Sequence, residues 1–222
     1  IAGPGARTVG VVDSGLYVDL EPIPGAPMPS VAAQARAIVS RGASVDDRCA
    51  ATYPSDTYKC LIGEYALRTL RSPAALLAFQ FDSYQLELLL GGRVADAPKL
   101  AQHADWAALV RKFRARTVGA LRDGGGAPTA ALSPACYAHC VTDTAAFSYG
   151  YTVDATSLAA RVQSLAFGAP PPSPIAQLPP LIEECEGFAC GTACDAAVGG
   201  GGDVATDAAA VGGAAFELLA AA

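Results

Sequence analysis

The chain has 222 residues, a formal net charge of −6 and a 52% hydrophobic composition. This length allows one large domain or one domain with a tail, and the acidic balance argues against nucleic acid or an anionic membrane surface as a partner. No apolar run approaches the roughly 20 residues that a membrane-spanning helix needs, so no membrane span is expected.

Residues 7–13, with Thr8, Val9, Val11 and Val12 around Gly10, read as a buried strand. Ser14 to Asp19 leaves it as a loop. A connector carrying Pro22, Pro24, Pro27 and Pro29 leads to Ser30, which is placed to N-cap a helix over 31–40 that Gly42 ends. Ser44 to Lys59 is polar and turn-rich. Residues 61–70 have helical spacing, ended by Pro73. Residues 74–81 are apolar except for Gln80, which predicts a strand covered on both faces, as in a parallel sheet between helices. Asp82, Ser83 and Tyr84 follow it, and a short helix is expected over 85–90.

Residues 104–122 form the longest helical pattern, with Trp106, Leu109, Val110 and Phe113 set against Arg111, Lys112, Arg114 and Arg116. The basic side reads as solvated surface. Gly124, Gly125 and Gly126 end that helix, residues 128–132 form a further short buried strand, and residues 157–166 a last amphipathic helix. Strands alternating with helices predict the α/β class. After Gly168 the composition changes to a proline-rich linker, a group of cysteines and a Gly/Ala run. The expected division is a domain over 1–168 and a linker and tail over 169–222.

The seven cysteines fall in close groups: Cys49 with Cys60, Cys136 with Cys140, and Cys185 with Cys190 and Cys194. Disulfides in an oxidising compartment are the simplest reading. The odd count leaves one thiol free or bonded outside the chain. A structural zinc site prefers four ligands in paired spacing, so no metal is expected at the last group. The chain lacks asparagine, which excludes N-glycosylation, and it shows neither an initiator Met nor a signal peptide, so Ile1 reads as a processed or cut end.

Chemistry concentrates in Ser133-Pro134-Ala135-Cys136-Tyr137-Ala138-His139-Cys140, which holds one of the two histidines. His103, the other, reads as a surface residue ahead of a helix. In an open parallel sheet, sites gather beyond the carboxyl ends of strands. Asp82 ends one strand and His139 lies just beyond the next, so the two can meet there. The carboxylate would fix the imidazole tautomer, and the imidazole would take a proton from a serine hydroxyl. The order Asp then His fits an α/β hydrolase and requires the serine upstream. A thiol nucleophile at Cys136 or Cys140 is the weaker reading, because such closely spaced cysteines usually pair.

These residues carry a resemblance. Ser133 to Cys140 is similar to the Ser-Cys-(Tyr/Phe)-(Ala/Ser)-His-Cys motif of the pectin acetylesterase/Notum family of carboxylesterases. Leu76 to Gln85 resembles that family's strand ending Tyr-Asp-Ser-Trp-Gln, with Tyr84 in place of the Trp, and Val11 to Asp19 resembles its Asp-Ala-Gly-Phe-Phe-x-Asp segment. Cys49 and Cys60 fall at similar positions. The resemblance covers residues 8–167 and implies the C-terminal half of an α/β-hydrolase three-layer sandwich with a mainly parallel sheet. It also implies His139 as general base, Asp82 as triad acid, and a secreted or cell-wall setting. The implied substrate is a polysaccharide ester or another acylated molecule, and no cofactor is implied. Ser14, Tyr84 and Tyr137 are pocket candidates. The family's nucleophile sits in a Gly-Cys-Ser-Ala-Gly-Gly elbow, and no Gly-x-Ser-x-Gly occurs here. The serine and the oxyanion glycines are therefore expected upstream, in another part of the same protein. The rival reading is a non-catalytic homologue serving as a structural or carbohydrate-binding part of an assembly.

Overall fold

Short apolar runs bounded by turn residues become strands, and amphipathic stretches between them become helices, several of them held by side-chain caps. The computed structural model describes residues 9–92, 104–124, 129–142, 150–167, 178–192 and 194. The chain enters through β1 (Gly10–Asp13) and reaches α1 (Val31–Ser40), where the Ser30 hydroxyl accepts from the Ala33 N–H as expected of an N-cap. The polar stretch beyond it contains α2 (Asp47–Thr52). Here Asp46 accepts from the Cys49 N–H at 2.8 Å. A 3-10 helix (Thr57–Leu61) then brings Cys60 to Cys49, and the two form a disulfide.

The helix expected over 61–70 is reduced to α3 (Gly63–Ala66) with turns after it. Hydrogen-bonded turns carry the chain on to Leu70, and the start of α3 is marked by a close approach. A Cβ on Gly63 would lie 2.6 Å from the Gly15 carbonyl oxygen and 2.8 Å from the Tyr17 nitrogen, so this helix end abuts the loop after β1.

The strand expected over 74–81 divides. β2 (Ala74–Leu77) lies in the main sheet, and β3 (Phe81–Asp82) pairs elsewhere. α4 (Ser83–Leu90) follows, then α5 (Ala104–Asp123), β4 (Thr129–Ser133) and β5 (Tyr137–Ala138). Pro134 explains the division. It has no N–H to give to a ladder, so pairing between β2 and β4 lapses at this point and resumes as β3 with β5. A hairpin of β6 (Thr152–Val153) and β7 (Thr156–Ser157) precedes α6 (Leu158–Phe167), and β8 (Leu181–Ile182) comes last.

The main sheet has the order β1-β2-β4-β8, parallel throughout, with Val12 opposite Leu76 and Leu76 opposite Ala131. Alternate residues of β2 serve opposite layers. Leu76 packs with Leu67, Ala120, Leu121 and Ala131 on one face. Ala75 and Leu77 pack with Ala130, Leu132, Leu158 and Leu165 on the other. Both faces are covered, which is why the run reads as continuously apolar. The result is an α/β-hydrolase-like arrangement.

Part of the stretch read as tail returns to this body. β8 pairs with β4, and Cys194 is bonded to Cys136. The grouping of Cys136 with Cys140 is corrected: the return of β8 to β4 brings Cys194 to Cys136, and that bond leaves Cys140 without a partner. Cys140 is free and exposed, and the third disulfide joins Cys185 to Cys190. His103, Gly125, Gly126, the proline-rich linker up to residue 177 and the run from 195 to 222 lie outside the described residues.

Candidate active site

Asp82 stands at the seam between β3 and α4 and has two uses. Its Oδ1 accepts from the Gln85 N–H at 2.9 Å, capping α4. Its Oδ2 lies 2.8 Å from His139 Nδ1. The β3–β5 pairing sets Asp82 opposite Ala138, one residue before His139, so backbone register brings the two side chains together. The carboxylate side chain is 3% exposed and the imidazole 21%. With Nδ1 turned to Asp82, Nε2 is the nitrogen left to exchange a proton.

Burial opposes a charge on His139. The hydrogen bond to Asp82, with the Cys140 thiol close to the ring, outweighs that effect and pushes the imidazole up to about 10. Burial pushes the Asp82 carboxyl up as well, against the pull of His139 and the Gln85 N–H. The direction that governs the pair is the rise of His139, because a proton placed there satisfies both partners.

The Tyr84 ring stacks on the His139 ring, centroids 5.1 Å apart and planes 30° apart. Tyr17 meets Tyr84 edge-on at 6.5 Å. Burial, followed by the charge of Asp82, holds the Tyr17 hydroxyl above its ordinary range. The loop carrying Tyr17 is fixed from two sides. Gln85 accepts from the Val18 N–H at 3.1 Å and donates to the Leu16 carbonyl at 3.2 Å. Glu64, buried and paired with Arg116, accepts from the Asp19 N–H at 3.1 Å, and Tyr65 donates to Asp19 at 3.0 Å.

The other expected residues lie as follows. Ser14, read as a pocket-wall residue, is 2% exposed, and its hydroxyl accepts from the Cys140 N–H at 2.9 Å while donating to Asp13 at 3.0 Å. Tyr137 donates to Glu87 at 2.9 Å and packs on Phe188, away from the imidazole stack. Asp13 escaped the sequence reading as a site residue. Its Oδ2 accepts from the Val141 N–H at 2.5 Å and the Thr142 N–H at 2.8 Å. The signal was available: Asp13, like Asp82, is a carboxylate at the carboxyl end of a strand, although β1, expected to be buried, is an edge strand with Gly10 and Val11 exposed. Among the described residues no group of three or more His, Cys, Asp and Glu side chains is placed to hold a metal ion.

What the arrangement can do is orient the imidazole through Nδ1 and exchange a proton at its second nitrogen, acting as a base in the neutral form that becomes available as the pH rises toward about 10.

Residues 3–168 match the family model described as pectinacetylesterase. Two crystal forms of the Wnt deacylase Notum from Drosophila share the fold. One has a TM-score of 0.64 at 20% identity over 85% of this chain and 49% of that chain. The other has a TM-score of 0.63 at 20% identity over 85% and 50%. The chain thus spans about half the length of these solved structures. No curated protein matches.

Proposed function

This chain belongs to the pectinacetylesterase family, and on that premise we propose that it supplies the acid–base half of a serine carboxylesterase. The observation that carries the reading is the 2.8 Å contact between His139 Nδ1 and Asp82 Oδ2 at the carboxyl end of the sheet. A serine and an oxyanion hole from a part of the protein outside these 222 residues complete the site.

In the proposed reaction the serine hydroxyl attacks the ester carbonyl and its proton passes to His139 Nε2. The tetrahedral intermediate collapses, the C–O bond to the leaving alcohol breaks, and His139 returns the proton to that alcohol. Water then attacks the acyl-enzyme, giving its proton to His139, and the acid departs as the serine recovers its hydrogen. Asp82 keeps Nδ1 protonated and stabilises the imidazolium. The proposed substrate is an acylated extracellular or cell-wall polysaccharide. Three disulfides and the family support an extracellular setting.

The test is acid release from an acetylated pectin by the full-length protein and by its His139→Ala variant. Turnover should fall by at least about 10³-fold, with the unfolding midpoint kept. A variant that still turns over removes His139 from the mechanism.

A further inference from the structure

The geometry points to Asp13 and Ser14, at the carboxyl end of β1, as positioning residues that clamp the main chain immediately after His139 and so hold its imidazole on Asp82. This inference rests on the reading of His139 as the general base. Three consecutive backbone N–H groups, of Cys140, Val141 and Thr142, turn toward β1. Cys140 has a φ of 49°, a left-handed conformation that lets successive N–H groups converge on one acceptor cluster. The Ser14 hydroxyl takes the first at 2.9 Å, and Asp13 Oδ2 takes the second and third at 2.5 and 2.8 Å. Ser14 donates in turn to Asp13 Oδ1 at 3.0 Å, so the two acceptors are locked to each other.

The clamp is anchored in the sheet. The Ser14 N–H donates to the Leu77 carbonyl at 2.9 Å, extending the β1–β2 ladder by one residue. Ser14 has a φ of 57° and is 2% exposed, a backbone position where a serine is tolerated rather than favoured. Asp82 reaches the imidazole from the β3 side while Asp13 and Ser14 hold the loop from the β1 side. His139 is thereby fixed between two strands that are not sheet neighbours of each other. A general base loses efficiency steeply when displaced by about 1 Å, so the loop needs such a hold. Before His139 the motif is held by the β3–β5 pairing and the Cys136–Cys194 disulfide, and after it, where Cys140 has no disulfide, by these three N–H bonds.

The groups facing His139 are Asp82 from β3, Tyr84 from α4 and the thiol of Cys140, while Tyr17 and Asp13, from β1 and its loop, act on Asp82. Asp13→Asn changes the charge near the site, whereas Ser14→Gly does not and also suits the left-handed backbone. Ser14→Gly is therefore the deciding variant. In the full-length protein it should lower kcat roughly 10- to 100-fold with KM nearly unchanged. The titration of His139, read from its imidazole resonances, should move down from the parent's, because a loosened loop weakens the bond to Asp82 that holds it up. Asp13→Asn should lower kcat in the same way. A Ser14→Gly protein whose His139 titration and kcat equal those of the parent overturns the clamp. Should the parent itself hydrolyse no ester, the reading of His139 as a base fails, and the His139 titration in Ser14→Gly still decides whether the clamp holds the imidazole.

Discussion

Two buried polar clusters sit at the carboxyl end of the sheet, and they are built to opposite ends. Around Gln80 every polar atom named is closed within the protein. The Gln80 amide donates to the Ser133 and Glu183 carbonyls at 3.0 and 2.8 Å, and its oxygen accepts from Arg114 at 2.8 Å. Arg114 goes on to the Cys185 carbonyl at 2.8 Å, and the Ser133 hydroxyl to the Ala78 carbonyl at 2.8 Å. Around Asp82 the network closes on one side only, since the imidazole uses Nδ1 for Asp82 and retains Nε2. Gln80 is fully buried, while the His139 side chain is 21% exposed. Buried polarity alone therefore does not mark a site. A titratable group with one valence held and the other left over does.

That contrast breaks if substitutions in the two clusters have similar consequences. The largest expected effect is on the open cluster. Asp82→Asn leaves Nδ1 without an anionic partner and permits the wrong tautomer, so kcat in the full-length protein should fall about 10³- to 10⁴-fold while the fold survives. Steady-state kinetics against circular dichroism checks it, and a loss of folding in step with activity would put Asp82 in the structural class instead.

The closed cluster should answer in stability. Gln80→Leu strips the acceptor from Arg114 and the donor from two carbonyls, at a cost of roughly 2–3 kcal/mol. Guanidinium unfolding reads this as a lower midpoint at unchanged slope. Activity of the folded fraction should equal the parent's, and a drop in kcat there would mean that the two clusters communicate.

A pH dependence of stability should be confined to the open cluster. His139 binds its proton more tightly folded, at about 10, than at its ordinary 6.5. Its contribution to stability is then complete below pH 6.5 and is lost as the pH rises toward 10. Unfolding midpoints across that window should decline in the parent and decline less in Asp82→Asn. Equal slopes in the two proteins would show that the pair carries no such linkage.

The open cluster was largely legible in the sequence because its signals are local. Asp82 and His139 each follow a short apolar run, and strand ends are where α/β sheets place chemistry. Ser30 announced α1 in the same local way. What stayed hidden depends on contacts far apart in sequence. Whether Cys136 bonds Cys140 or Cys194 turns on the return of β8 to β4, which a two-residue strand behind a proline-rich linker does not advertise. Gln80 looked like a flaw in a strand, and only the path of residues 183–185 shows what it binds. Asp13 was visible as a carboxylate at a strand end, but it binds the backbone N–H groups of Val141 and Thr142, which carry no side-chain signature, so its partners stayed hidden.

The most direct test of the proposed base is covalent labelling of the full-length protein with a fluorophosphonate, followed by peptide mapping. The expected result is one labelled serine outside these 222 residues, modified rapidly in the parent and at least about 10³-fold more slowly in His139→Ala. Labelling at the same rate in both proteins, or no labelled serine in the parent, would contradict an Asp82–His139 pair that activates a nucleophile.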